Sequence, residues 1–171
     1  MLKTLANAVL FQVGWFSSVL GGNSGWLLIT LVIFFVHLRW IGSWQAEGKL
    51  LMTVFALGCV IDSALIKLGV LDFGEVGRVI PLWLALLWPL LATTLGHCLA
   101  WSAKPWWLSS ALGAVGGPAS YIAGSHLTYV QLPLGVWPSA LILAAIWAVV
   151  FPLLHWLAVY FREANSGEVS A

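Results

Sequence analysis

Asp62, in "LGCVIDSALIKLGVL", is a carboxylate set in a run of apolar residues. An ionisable group in such a run is expensive to hold away from water, so it faces the protein interior and finds a partner there. Lys67 is five residues on, roughly 140° around an ideal helix, and so is not on the same face. Residues expected at a similar depth are Gln12, Thr93, Thr94, Ser120 and Tyr121. Two chemistries fit this set. Asp62 can anchor a polar midplane pocket or a proton-coupling site. Alternatively, it is an interhelical hydrogen-bonding group that holds a bundle together, the reading that weighs slightly more.

A second feature is the Gly-Gly-Pro in "LGAVGGPASYIAGSHL". Pro118 has no N–H and its ring crowds the carbonyl of Ala114, which predicts a kinked or opened helix there. A break of that kind must face protein or a water-filled cavity. Gly113 and Gly117 form a G-x-x-x-G pair, while Gly116, Ser120 and Gly124 recur every fourth residue. Small residues at this spacing let helices approach closely, so we read Gly113, Gly116, Gly117 and Gly124 as packing positions. Pro118, Ser120 and Tyr121, together with Asp62, Gln12 and Thr93, are the pocket candidates.

Of the four histidines, His37, His97 and His155 are expected at one end of three different helices. Two facing imidazoles can ligate a haem iron and three can hold a metal. Hydrogen-bonding histidines without a ligand are commoner, so no metal and no cofactor is assigned. Cys59 and Cys98 stand in apolar runs with no C-x-x-C or zinc spacing and read as small packing residues. H-E-x-x-H, G-x-S-x-G and the Walker A loop are absent. No catalytic residue is assigned, and whether the protein is an enzyme stays open.

The elements that must position these groups follow from composition. The 171 residues are 61% hydrophobic and 8% charged, against roughly 25% charged in soluble domains. Mean hydropathy is +0.99. There is too little polar material to cover a water-facing surface, and the net charge of +1 gives no reason to expect nucleic acid. Crossing a bilayer takes about 20 apolar residues. Six such spans are expected, near 4–21, 25–43, 50–71, 80–101, 107–127 and 134–161. The fold class is therefore all-α: a polytopic integral membrane bundle of about six helices. Residues 1–163 form one transmembrane domain and 164–171 a short polar tail. The first span reads as an uncleaved helix, not a signal peptide, and no internal repeat stands out.

With both termini cytoplasmic, that side holds Lys3, Arg39, Lys49, Lys104 and Arg162, and the other side Arg78 beside Asp72 and Glu75. The positive-inside rule therefore favours this orientation. Trp40, Trp44, Trp101, Trp106, Trp107 and Trp156 fall near the proposed cytoplasmic ends, and Trp26, Trp83 and Trp137 near the outer ends. Indoles prefer that zone, so most of the tryptophans read as anchors and not as a ligand cage.

The segments "NAVLFQVGWFSSVLGG", "GCVIDSALIKLGVLDF", "PLWLALLWPLLATTL" and "GAVGGPASYIAGSHL" resemble, in this order, a bacterial membrane family, domain of unknown function 2878. The resemblance covers residues 5–160, approximately. It implies a bacterial inner-membrane, multi-pass location and carries over no catalytic residue. Genes of the family lie near those for cyclopropane-fatty-acid-synthase-like proteins, so the resemblance also implies a link to lipid metabolism. Three functions are then expected in turn. The first is a small transporter or binding protein with a pocket for a small or lipidic molecule. The second is a membrane-embedded enzyme or accessory in lipid modification, and the third an assembly subunit. The expected partners are the lipid bilayer, a small-molecule or lipid ligand, and a second copy or another membrane protein.

Overall fold

The computed structural model describes residues 1–74 and 80–168. Glu75 and Arg78, assigned above to an outer loop, lie outside the described residues. Among the described residues, six α-helices follow one another: α1 Leu2–Gly21, α2 Leu27–Val36, α3 Trp44–Lys67, α4 Leu82–Leu95, α5 Trp106–Leu127 and α6 Val136–Glu168. No strand occurs among the described residues; Asp72 and Gln131 form a single antiparallel bridge. α6 continues through Glu168, into the segment read as a polar tail.

Local chemistry sets the helix ends. Ser43 accepts a hydrogen bond from the Ala46 N–H and starts α3 six residues before the expected span. Gly69, at φ +70°, ends α3. There the Val70 N–H reaches the Leu65 carbonyl and the Gly69 N–H the Ile66 carbonyl, at 2.9 and 3.1 Å. This is the Schellman pairing, and only glycine takes its left-handed position without strain. α2 does not end as an α-helix: His37–Ile41 forms a π turn closed by Gly42 N–H to His37 carbonyl at 2.9 Å. The fourth expected span is also interrupted. α4 stops at Leu95, and a turn leads into a 3₁₀ helix at Ala100–Ala103.

Consecutive helices run antiparallel. Asn7, near the start of α1, meets His37 at the end of α2 and the Thr93 carbonyl near the end of α4. Ser17 and Ser18, near the end of α1, meet Thr30 on α2 at 3.2 and 2.8 Å. Asn165 of α6 donates to the Gln45 and Ala46 carbonyls at the start of α3. The bundle thus has a lower end, where α1, α3 and α5 begin, and an upper end, where they finish.

Among the described residues, α1, α3 and α6 are long and apolar enough to cross a membrane. α2 with its π turn and α4 are apolar but shorter. α5 has 22 residues, and its glycines and serines lower its hydropathy. The outside of the bundle is apolar: Val60, Val115 and Leu141 are 68%, 71% and 72% exposed. Inside, Leu65, Leu90, Leu95, Leu143 and Leu154 are fully buried.

Candidate functional site

The centre of the bundle is built from glycine and tryptophan. Gly58 on α3 leaves the space that the Trp88 indole of α4 fills; a Cβ there would overlap the ring. Trp88 stacks on Trp147 of α6, with centroids 5.1 Å apart and planes at 16°. Trp147 in turn lies against Gly117 and Gly113 of α5, whose absent Cβ atoms would meet its ring and its backbone carbonyl. Two indoles are thereby sandwiched between glycine surfaces of α3 and α5. Such a stack contributes about 0.5–1.5 kcal/mol beyond the area it buries.

Asp62 sits against this stack, fully buried. Its Oδ2 accepts the Trp88 indole N–H at 2.7 Å, and its Oδ1 accepts the Tyr121 hydroxyl at 2.5 Å. Asp62 therefore joins α3 to α4 and α5, and Lys67 is not its partner. Of the pocket candidates, the structure brings Tyr121 to Asp62. Ser120 lines the cavity described next and accepts the Trp15 indole N–H at 3.1 Å, linking α1 to α5. Thr93 donates to the Leu90 carbonyl at 2.6 Å, inside its own helix. Gln12 is exposed at the rim of the cavity described next. Pro118 is buried within a helix that runs unbroken from Trp106 to Leu127. The opened backbone expected there does not form.

A cavity of about 490 Å³ runs along α5, between α1, α4 and α6. Its walls include Trp15, Trp83, Trp88 and Trp147, with Phe11, Leu87, Leu91 and Phe151. Trp101 and Ser102 border it near the lower end, and Phe73 and Val130 near the upper. No Asp, Glu, Lys or Arg lines it among the described residues. The polar midplane pocket expected from the sequence is thus an apolar, aromatic-walled one. Asp62 stands behind its wall, screened by Trp88 and Tyr121, which do line it. The glycines divide by face. Gly113 and Gly117 pack on α6, whereas Gly116 and Gly124 have no atom within 4 Å of where a Cβ would stand. Those two widen the cavity and do not seat a helix. Trp83, expected as an interfacial anchor, is only 3% exposed, while Trp101, Trp106, Trp107 and Trp137 are 59–80% exposed.

The histidines form a second polar cluster, at the lower end. The Nε2 atoms of His37 and His97 each lie 2.8 Å from one oxygen of Glu47, and the rings meet edge to face at 5.3 Å. His155 is elsewhere, with Nε2 at 2.9 Å from the Ser102 hydroxyl. The three histidines therefore do not converge. The ligand atoms of His37, Glu47 and His97 lie within 4.8 Å of one another, a set that can be tested against a metal. Asn7 weighs against one. Its Oδ1 accepts the Cys98 N–H at 3.2 Å and its Nδ2 donates to the Thr93 carbonyl at 3.1 Å, which fixes the amide. The same Nδ2 faces His37 Nδ1 at 3.4 Å. That ring nitrogen must therefore be the acceptor, and the His37 proton sits on Nε2, pointing at Glu47. A metal on Nε2 would displace that proton and leave Nδ1 as the N–H, facing the Asn7 amide donor instead of an acceptor. The cluster is a carboxylate holding two imidazole donors.

Sequence reasoning missed Glu47, Asn7 and the inward tryptophans Trp15, Trp88 and Trp147. Glu47 carried a usable signal: under alternating spans it shares its level with His37 and His97.

The fold and the site together define an all-helical bundle of apolar helices around an aromatic-walled cavity backed by a buried carboxylate. The chain belongs to the family described as protein of unknown function DUF2878, whose model matches residues 4–153. No curated protein and no solved structure matches it.

Proposed function

We propose that this is a six-span protein of the bacterial inner membrane, with both termini in the cytoplasm, that holds the apolar chain of a lipid in its central cavity. The antiparallel order of six helices supports the span count. Lys3, Arg39, Lys49, Lys104 and Arg162 all belong to segments at the lower end, which supports a cytoplasmic assignment for that end. α4, with 14 residues, covers only about 21 Å of a roughly 30 Å core. The remaining thickness is taken up by the turns after it, whose backbone N–H groups at His97, Leu99 and Ala100 are hydrogen-bonded.

The observation that carries the function is the cavity. Its volume of about 490 Å³ falls within the range of roughly 300–1,000 Å³ typical of small-molecule sites. It is also elongated: the α5 residues that line it run from Leu112 to Ser125, about 20 Å at the helical rise. A long cavity with no charged wall suits an extended hydrocarbon chain better than a hydrated solute. The bilayer supplies such chains at the exposed stretch of α5 around Gly116.

The test is a cavity-filling variant. Leucine at Gly116 enters open space and gains helix propensity, so Gly116→Leu should fold and melt at or slightly above the parent. Protein purified in mild detergent is extracted and the retained lipid quantified by mass spectrometry. Wild type should retain about one lipid per chain and Gly116→Leu at least tenfold less. Equal retention by the two proteins, or a wild type that takes up no lipid from vesicles, overturns the reading.

A further inference from the structure

Gln12 stands near the middle of α1, about 15 Å from its start, half-way through a hydrocarbon core of roughly 30 Å. The residue is exposed and lines two spaces at once, the central cavity and an apolar groove on the outside of α1 and α2. It therefore occupies the doorway between the cavity and the surrounding lipid. α1 and α5 run in the same direction, and the hydrogen bond from Trp15 to Ser120 fixes their relative height. Gln12, one turn below Trp15, is then level with Gly116, one turn below Ser120. Gly116 is exposed as well, and nothing stands within 4 Å of its Cβ position. No described residue hydrogen-bonds the Gln12 amide. Hydrocarbon offers such a group no partner, so an amide held at this depth is costly unless something else meets it.

Resting on the lipid-chain reading above, we infer that the chain entering the cavity carries an uncharged hydroxyl or carbonyl group, and that Gln12 is the residue that binds it. The amide has two N–H donors and a carbonyl acceptor, so it answers a hydroxyl in either sense and a carbonyl through its donors. An ionised group does not fit. No charged side chain lines the cavity among the described residues, and a lone charge at this depth is expensive. The glycerol esters of a phospholipid stay near the bilayer surface, about 15 Å from this level. The oxygen that meets Gln12 therefore belongs to the end of a single-chain lipid or to a substituent part-way along an acyl chain.

The test is a competition. Delipidated protein in mild detergent is equilibrated with equal amounts of hexadecane and hexadecanol, and the bound ratio is compared with that in protein-free micelles. Both chains compete in one sample, so the ratio does not depend on the fraction of active protein. Wild type should enrich hexadecanol about three- to tenfold, the worth of one hydrogen bond. Gln12→Leu, similar in size and helix propensity, should bring the ratio within about twofold of the micelles and still take up hexadecane. Gln12→Met repeats the measurement should the leucine variant not fold. If wild type takes up neither chain, the lipid-chain reading itself fails. If it takes up both without preference, or a Gln12 variant keeps the preference, the cavity stands and the inference is overturned. A wild-type dimer by light scattering that Gln12→Leu dissociates also overturns it, because the amide is then spent on a second copy. Phosphatidylcholine with a hydroxystearoyl chain, run against its stearoyl counterpart, assigns the source. Enrichment of the first places the oxygen part-way along an acyl chain, and equal uptake places it at the end of a single-chain lipid.

Discussion

Gly113 and Gly116 lie one helical turn apart on α5, yet the structure gives alanine opposite consequences at the two sites. At Gly113 a Cβ would press on the Trp147 carbonyl oxygen and stand 2.7 Å from the Phe151 Cβ. Both obstacles are backbone or backbone-anchored, so α5 would have to move away from α6. Overpacking of this kind costs about 1–3 kcal/mol, and an immovable partner puts it near the upper end. Alanine recovers about 0.5–1 kcal/mol of helix propensity, so Gly113→Ala should lose about 2 kcal/mol. Gly116→Ala meets nothing within 4 Å and should keep the full propensity gain. At about 2–4 °C per kcal/mol for a chain of this size, Tm should fall by about 4–8 °C in the first and rise by about 1–4 °C in the second. Thermal unfolding in detergent, followed by near-UV circular dichroism, reads both, and the stacked Trp88–Trp147 pair gives a local signal for the shift of α6. A Gly113→Ala protein that melts with the parent and keeps that signal would refute the close contact of α5 with α6.

Glu47→Ala should destabilise by about 2–3 kcal/mol, because it orphans the His37 N–H, which is 1% exposed. His97→Ala should cost about 1 kcal/mol, since His97 is 24% exposed; equal losses in melting experiments would show that the buried arm does not dominate. Because Asn7 holds the His37 proton on Nε2, excess zinc or a chelator should leave Tm unchanged, and a zinc-dependent rise of several degrees would put a metal on Glu47 and the two histidines. Cysteines introduced at Lys104 and Tyr129, with Cys59 and Cys98 replaced, should label from the cytoplasmic and the outer side respectively with an impermeant thiol reagent. Labelling of both from one side sinks the six-span topology.

What could be read in the sequence depended on how far each residue departs from its surroundings. Asp62 stands out because a carboxylate in an apolar run has few bland explanations, and its burial with partners on other helices matches that expectation. The partners were harder to see. Trp88 and Tyr121 are aromatic residues in a chain with twelve tryptophans, and the interfacial preference of indole explains most of the twelve without any site. Hydropathy cannot separate an indole that anchors in headgroups from one that stacks on a glycine, since both score alike. The distinguishing information lies in the opposing residues, Gly58 on α3 and Gly117 on α5, and these become neighbours of Trp88 and Trp147 only once the helices are packed.

The same limit applies to the stretch around Pro118. Proline in a helix predicts a lost hydrogen bond and a break, yet α5 stays continuous. Proline needs room on the side of the preceding turn and a neighbour that tolerates the altered backbone, and in this bundle the ring is buried. The small residues beside it then serve two faces. Gly113 and Gly117 admit Trp147, while Gly116 and Gly124, on the cavity side, leave space that any larger residue would occupy. A G-x-x-x-G spacing reports that a helix has a small-residue face; whether that face receives another helix or a ligand depends on what lies opposite. Here one stripe meets an indole and the next meets an open cavity, so close packing on α6 and a chain-sized void are produced by the same sixteen residues.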